Sequence, residues 1–151
     1  MKSILIMLTF LNFSIWLRAQ SAEDSVKAVI NSLFAGMKNG DAGQVRAVFS
    51  DSAILQTITR NKEGKMIVVT DKVAEFASLV GTLKKDSADE RIAFDVIRID
   101  GALAIAWTPY NFFYNGKFDH CGANSFQLVR FDGIWKIQYL IDTRRRKGCV
   151  N

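Results

Sequence analysis

The residues with chemical potential cluster in the last third of the chain. His120 is the only histidine in the sequence, with Asn124 shortly after it and Asn111 on the preceding strand-like run. A neutral imidazole held away from bulk water can act as a general base or anchor a ligand. Side-chain amides both donate and accept, so Asn111 and Asn124 could orient a carbonyl or amide. Trp107 and Tyr139 could supply flat walls to a pocket. The same residue types also serve plain structure: a histidine ordering a strand end, amides paired with backbone, aromatics filling a core. Alternation along the strands sends Asp95, Asp119 and Asp142 to the other face of the sheet, with Asp51 able only to flank the pocket. No carboxylate is therefore expected inside. Asp142 with Arg144 and Arg145 reads as a salt-bridged strand end. No Gly-x-Ser-x-Gly, phosphate-binding loop or carboxylate–histidine metal cluster occurs, so no metal and no cofactor is expected.

These side chains need a sheet to hold them. The pattern predicts three long strands over 91–99, 102–114 and 118–130, and a last one over 134–142, joined at Asp100-Gly101, Asn115-Gly116 and Asp132-Gly133. Two-residue turns set Phe113 beside Phe118, Asn111 beside His120, Trp107 beside Asn124 and Ile105 beside Phe126. Across the last hairpin they set Trp135 near Arg130, Ile137 near Leu128 and Tyr139 near Phe126. One face then gathers Ile105, Trp107, Asn111, His120, Asn124, Tyr139 and Ile141. Pro109 lacks a ladder donor, which predicts a bulge or bend there.

Earlier in the chain, Val26, Val29, Ile30, Leu33 and Met37 recur at helical spacing before Asn39-Gly40. Asp41 caps a short second helix, 53–60 and 65–69 form a hairpin, and a third helix opens at Thr70-Asp71 and closes at Gly81. Residues 84–90 read as a charged surface loop. The whole is an α+β fold in one domain, three helices packed on a strongly bent, mostly antiparallel sheet that forms a cone. The opposite face, with Ala104, Ala106, Tyr110, Phe112, Tyr114, Cys121, Ala123 and Val129, is apolar enough to predict a homodimer through the outer sheet.

Asn39-Gly40-Asp41 with Val45, Val48-Phe49 and Asp51-Ser52-Ala53 resembles the helix-to-strand segment of the nuclear-transport-factor-2-like superfamily. That group includes SnoaL-like domains and ketosteroid isomerase. His120-Cys121-Gly122, Asn124, Phe126, Leu128, Asp132-Gly133, Trp135-Lys136-Ile137 and Asp142-Thr143-Arg144-Arg145 resemble its bacterial, secreted branch labelled putative lumazine-binding. The resemblance covers nearly all of the chain after the leader. It implies the cone fold and leaves activity open, because that fold hosts enzymes, binders and scaffolds.

Residues 1–19 read as a signal peptide: Lys2, an apolar run from Ile4 to Trp16, and Ala19 before the expected cut. The run is too short to span a bilayer, so export to the periplasm or beyond, with no stable membrane anchor, is expected for the domain 20–151. Lys2 and Arg18 leave with it, taking the net charge from +5 to +3. The basic run Arg144–Lys147 is read as a solvated tail, and nothing points to nucleic acid. In an oxidising compartment Cys121 and Cys149 are free to form a disulfide. A zinc site with His120 is not expected, since two thiols and one imidazole at that spacing match no tetrahedral pattern. The reading that follows is a secreted domain binding a small, largely apolar molecule in its cone without demonstrable catalysis. The alternatives are an isomerase-, cyclase- or dehydratase-type enzyme using His120 as base, and a dimeric scaffold with a filled cone.

Overall fold

The computed structural model describes residues 21–149, so the expected signal peptide lies outside the described residues. Helix α1 (Ala22–Asn39) begins where the Ser21 side chain accepts from the Asp24 amide at 3.0 Å. It ends at Gly40, whose φ of 67° is the left-handed conformation a helix stop requires. Asp41 caps α2 (Ala42–Val48) by accepting from the Gln44 amide. Then follow β1 (Phe49–Arg60), β2 (Met66–Asp71), α3 (Val73–Gly81), β3 (Ala88–Ile92), β4 (Val96–Asp100), β5 (Leu103–Tyr114), β6 (Lys117–Phe131) and β7 (Ile134–Thr143). Strand order is β2-β1-β7-β6-β5-β3, with β4 also on β5. Every pairing is antiparallel except β1 with β7. The α+β cone expected from the sequence is the fold observed.

Val26, Ile30 and Leu33 of α1 and Val45 of α2 are buried with Phe126, Leu128 and Ile137 of the sheet. Phe34 meets Phe126 edge-on, centroids 6.2 Å apart. Among the described residues no helix is long and apolar enough to cross a membrane.

The turns match expectation at Asn115-Gly116 and Asp132-Gly133, where Tyr114 pairs with Lys117 and Phe131 with Ile134. The register beyond them does not. On β6, Phe113 pairs with Phe118 but Phe112 with His120, so Asp119 is an extra residue. On β7, Leu128 pairs with Ile137 but Gln127 with Tyr139, so Gln138 is another. Each bulge exchanges the two faces of all that follows. Asn111 therefore opposes Cys121 rather than His120, Trp107 opposes Ser125 rather than Asn124, and Phe126 faces Ala106 and Leu140 rather than Ile105 and Tyr139. The first hairpin also closes one residue later than expected, with Asp100 opposite Leu103.

The discontinuity expected at Pro109 falls on its neighbour. Pro109 pairs normally with Ala123, while the strand expected over 91–99 breaks into β3 and β4 across Ala93–Asp95. The Ala93 amide still donates to the Pro109 carbonyl at 3.0 Å, and proline has no N–H to return the bond. The expected surface loop 84–90 is likewise corrected: Ala88, Asp89 and Glu90 belong to β3.

The candidate functional site

The cone is hollow. Its cavity holds about 560 Å³, within the range that accepts a small-molecule ligand, so the filled-cone alternative does not describe this fold. Exposed Asp71, Glu75, Leu79 and Tyr114 form its rim. Leu33, Phe34, Met37, Val80, Ala88 and Leu140 make a buried apolar wall. Tyr110, Phe112 and His120 add an aromatic side.

The polar end comes from five strands, β1, β3, β5, β6 and β7. Asn124, 4% exposed, donates its amide to Glu90 Oε1 at 2.8 Å and lies 3.3 Å from Thr108 Oγ1. Asp142, 7% exposed, accepts from Thr57 Oγ1 at 2.6 Å, from the Tyr110 hydroxyl at 3.1 Å and from Arg144 Nε at 3.0 Å. Arg144 also donates through Nη2 to Thr57 Oγ1. Tyr110 further lies 2.9 Å from the Thr143 carbonyl. That approach needs Gly122 beneath it: a Cβ there would sit 1.8 Å from the Thr143 oxygen and 2.7 Å from the Tyr110 ring.

Glu90 keeps some accessible surface, but it faces the cavity from within the protein. Burial pushes its carboxyl up to about 7; the Asn124 hydrogen bond and Arg144 pull it down, and the Asp142 charge pushes it further up. Burial, with the nearby Asp142 and Glu90 charges, also raises the Tyr110 phenol. Burial works against the Arg144 guanidinium, yet the charge and hydrogen bond of Asp142 hold it above its ordinary range.

His120 lines the cavity, Nδ1 held 2.7 Å from Asp119 Oδ2, its ring tilted on Phe112 and edge-on to Tyr110. The Asp119 carboxyl lies below its usual range, chiefly through that hydrogen bond. Of the residues expected to line the pocket, His120 and Asn124 are brought together in it. Trp107, Asn111 and Tyr139 are not: the two bulges turn them to the outer face. Trp107 is 42% exposed, and the Tyr139 hydroxyl donates to Gln56 Oε1 at 2.7 Å. The expectation of an interior without carboxylates is overturned for the same reason. The bulge at Gln138 brings Asp142 inward, and the added strand β3 brings Glu90. The Asp142–Arg144 pair does form, whereas Arg145 instead bridges to Cys121 and bonds the Gly148 carbonyl.

Cys121 and Cys149 are joined in a disulfide, their Cα atoms 5.7 Å apart. Arg145 stands opposite Cys121, and the tail folds back beyond it to close the bond. Arg146 reaches Asp119 at 3.5 Å, so the strapped tail touches the carboxylate that holds His120. No cluster of three metal-ligating side chains occurs among the described residues.

Residues 21–139 match the family model described as "Putative lumazine-binding". The chain belongs to that family. Solved structures place its fold among NTF2-like proteins. An NTF2-like protein of unknown function from Shewanella baltica superposes with a TM-score of 0.66 at 18% identity, over 83% of this chain and 94% of that one. A similar protein of unknown function from Silicibacter pomeroyi gives 0.64 at 15% identity, over 80% and 93%. A Nostoc punctiforme domain of unknown function with a cystatin-like fold gives 0.64 at 18% identity, over 83% and 78%. At these identities the likeness carries the fold alone. No curated protein matches the chain in sequence.

Proposed function

We propose that this member of the putative lumazine-binding family is an exported domain that binds a small, largely apolar molecule in its cone. The observation that carries the reading is the cavity itself: about 560 Å³, mostly aliphatic and aromatic, with a few convergent polar groups at Glu90, Asn124 and His120. Such a site buries a ligand body by the hydrophobic effect and fixes its orientation through one or two hydrogen bonds. Nile red, a neutral apolar dye, serves as the probe. It is expected to bind the chain lacking residues 1–19 with a blue-shifted emission and to be weakened by Leu83→Trp, which narrows the cavity. Equal dye binding by a folded Leu83→Trp protein would place the dye elsewhere and sink the reading. Native mass spectrometry of the purified protein tests for a retained ligand directly.

A second reading, acid–base catalysis, is favoured by one observation: a cavity carboxyl near 7 can both give and take a proton at neutral pH. Glu90 and His120 are both candidates for the base, since Asp119 holds His120 through Nδ1 and leaves Nε2 as the acceptor. Proton exchange at the α-carbon of ketones, followed by NMR in deuterated water, tests it. Exchange that is unaffected by Glu90→Gln rejects Glu90 as the base.

Self-association of the domain belongs to the same proposal, on different residues from those expected. The bulges put Ala104, Ala106, Tyr110 and Phe112 inside, and leave Leu103, Ile105 and Trp107 exposed on the outer face at 48%, 42% and 42%. An apolar patch of that kind is what a second copy would cover.

A further inference from the structure

We propose that the molecule this cavity takes is a cation: an apolar amine whose ammonium pairs with Glu90 against the ring of Phe112. The inference rests on the cavity-binding reading and adds the ligand's charge. Four carboxyl side chains line the cavity, Asp71, Glu75, Glu90 and Asp142, against a single arginine, Arg144. Arg144 is committed, since Asp142 takes its Nε and shares Thr57 with it. Asp142 in turn accepts three side-chain hydrogen bonds and has little left to offer a ligand. The acid with spare capacity is Glu90, which accepts one side-chain hydrogen bond among the described residues, from Asn124 to Oε1. Its second oxygen is the natural acceptor for an entering donor.

The position suits an ammonium for a second reason. Glu90 stands directly opposite Phe112 in the β3–β5 ladder, and Phe112 stands opposite His120 in β5–β6. A cation paired with Glu90 meets an aromatic face as well as a carboxylate, and partial desolvation strengthens both attractions. An anion would meet the rim acids Asp71 and Glu75 on entry, then a guanidinium already held by Asp142. A neutral carbonyl compound would need Glu90 as a hydrogen-bond donor, its protonated form.

The last contrast gives a pH signature. The groups facing Glu90 are Asp142 and Arg144 at the end of β7, Tyr110 on β5, His120 on β6, and Asp71 and Glu75 at the rim. With the Glu90 carboxyl at about 7, amine affinity should rise between pH 6 and 8, while affinity for a carbonyl compound should fall.

Calorimetric titration of phenylbutylamine, phenylbutanol and phenylbutyric acid holds the apolar body constant and varies only the charge. At pH 8 the amine is expected to bind about tenfold or more tighter than the alcohol, with the acid weakest. In Glu90→Gln that advantage should shrink to about twofold or less while alcohol binding persists. An alcohol or acid that binds as tightly as the amine overturns the inference and leaves the cavity reading standing. An amine advantage that survives Glu90→Gln also overturns it. Failure of all three compounds, and of Nile red, overturns the cavity reading as well. The wild-type series decides the charge preference even where the variant does not fold.

Discussion

The Glu90 carboxyl ties stability to pH with an unusual sign. Its carboxyl moves from an ordinary 4.5 to about 7 because folding removes water from around it. The protonated form is favoured in the folded protein, so this group's contribution is fully present below 4.5. It is lost as pH rises from there through about 7. Moving a carboxyl over that interval corresponds to about 3 kcal/mol, and water in the cavity reduces the expected effect to about 1–3 kcal/mol. Glu90→Gln keeps an oxygen and an amide beside Asn124 and removes the titration. Relative to wild type, the variant is therefore expected to gain stability as pH rises from 5 to 8, by about that amount. Urea unfolding of both proteins at each pH measures it. Other groups titrate too, such as Asp89, which burial raises but which Arg91 and Lys38 hold below its usual range overall. They are common to both proteins and cancel in the difference. A wild-type-minus-variant difference that is flat across this range, or that changes in the opposite direction, would refute the burial argument for Glu90.

Gly122→Ala should cost about 2–4 kcal/mol in chemical denaturation, because the new methyl group meets the Thr143 carbonyl and the Tyr110 ring, neither of which can retreat cheaply. Asp142→Ala should cost about 3–5 kcal/mol, since it strips Arg144, Thr57 and Tyr110 of a shared acceptor. Reducing the Cys121–Cys149 bond, which closes a sequence separation of 28, should lower stability by about 3–4 kcal/mol on the chain-entropy model. It should also raise proteolytic cleavage in the segment 144–149. Trp107→Glu should convert a dimer to a monomer in light scattering without changing Nile red binding, and a wild-type protein that is already monomeric at high micromolar concentration rejects the outer-face association.

Why the architecture was readable and the site only partly so comes down to two single residues. Helices announce themselves through apolar spacing and caps, and Ser21, Gly40 and Asp41 all act as their types predict. Hairpins announce themselves through turn dipeptides, and Asn115-Gly116 and Asp132-Gly133 take the positive φ that such turns require. A bulge carries no comparable mark. Asp119 and Gln138 are ordinary polar residues in strands that alternate plausibly in either phase, because Ile105 and Trp107 on one side compete with Ala104, Ala106 and Tyr110 on the other. Hydrophobicity favours the larger side chains for the interior. Packing decides otherwise: the small Ala104 and Ala106 are buried opposite the large Leu128 and Phe126, while Ile105 and Trp107 are not buried. One residue inserted in a strand moves every later side chain to the other face, so the cost of missing it is paid entirely at the site. His120 and Asn124 share a strand and a phase with the buried Phe126 and Leu128, so alternation from those residues places both inward, while Trp107 and Asn111, across the bulge on β5, fall on the other face. Asp142 lay past the bulge at Gln138 and was sent outside. A signal for it did exist in the sequence: Asp142-Thr143-Arg144 puts a carboxylate and a guanidinium on the same side of one strand. A carboxylate with a guanidinium two residues away is less costly to bury than a lone one, and here Asp142 is buried while half of the Arg144 side chain stays exposed. Glu90, by contrast, sits in a run of charges that resembles solvated loop, and only the pairing of β3 with β5 reveals that it faces Phe112 and the cavity.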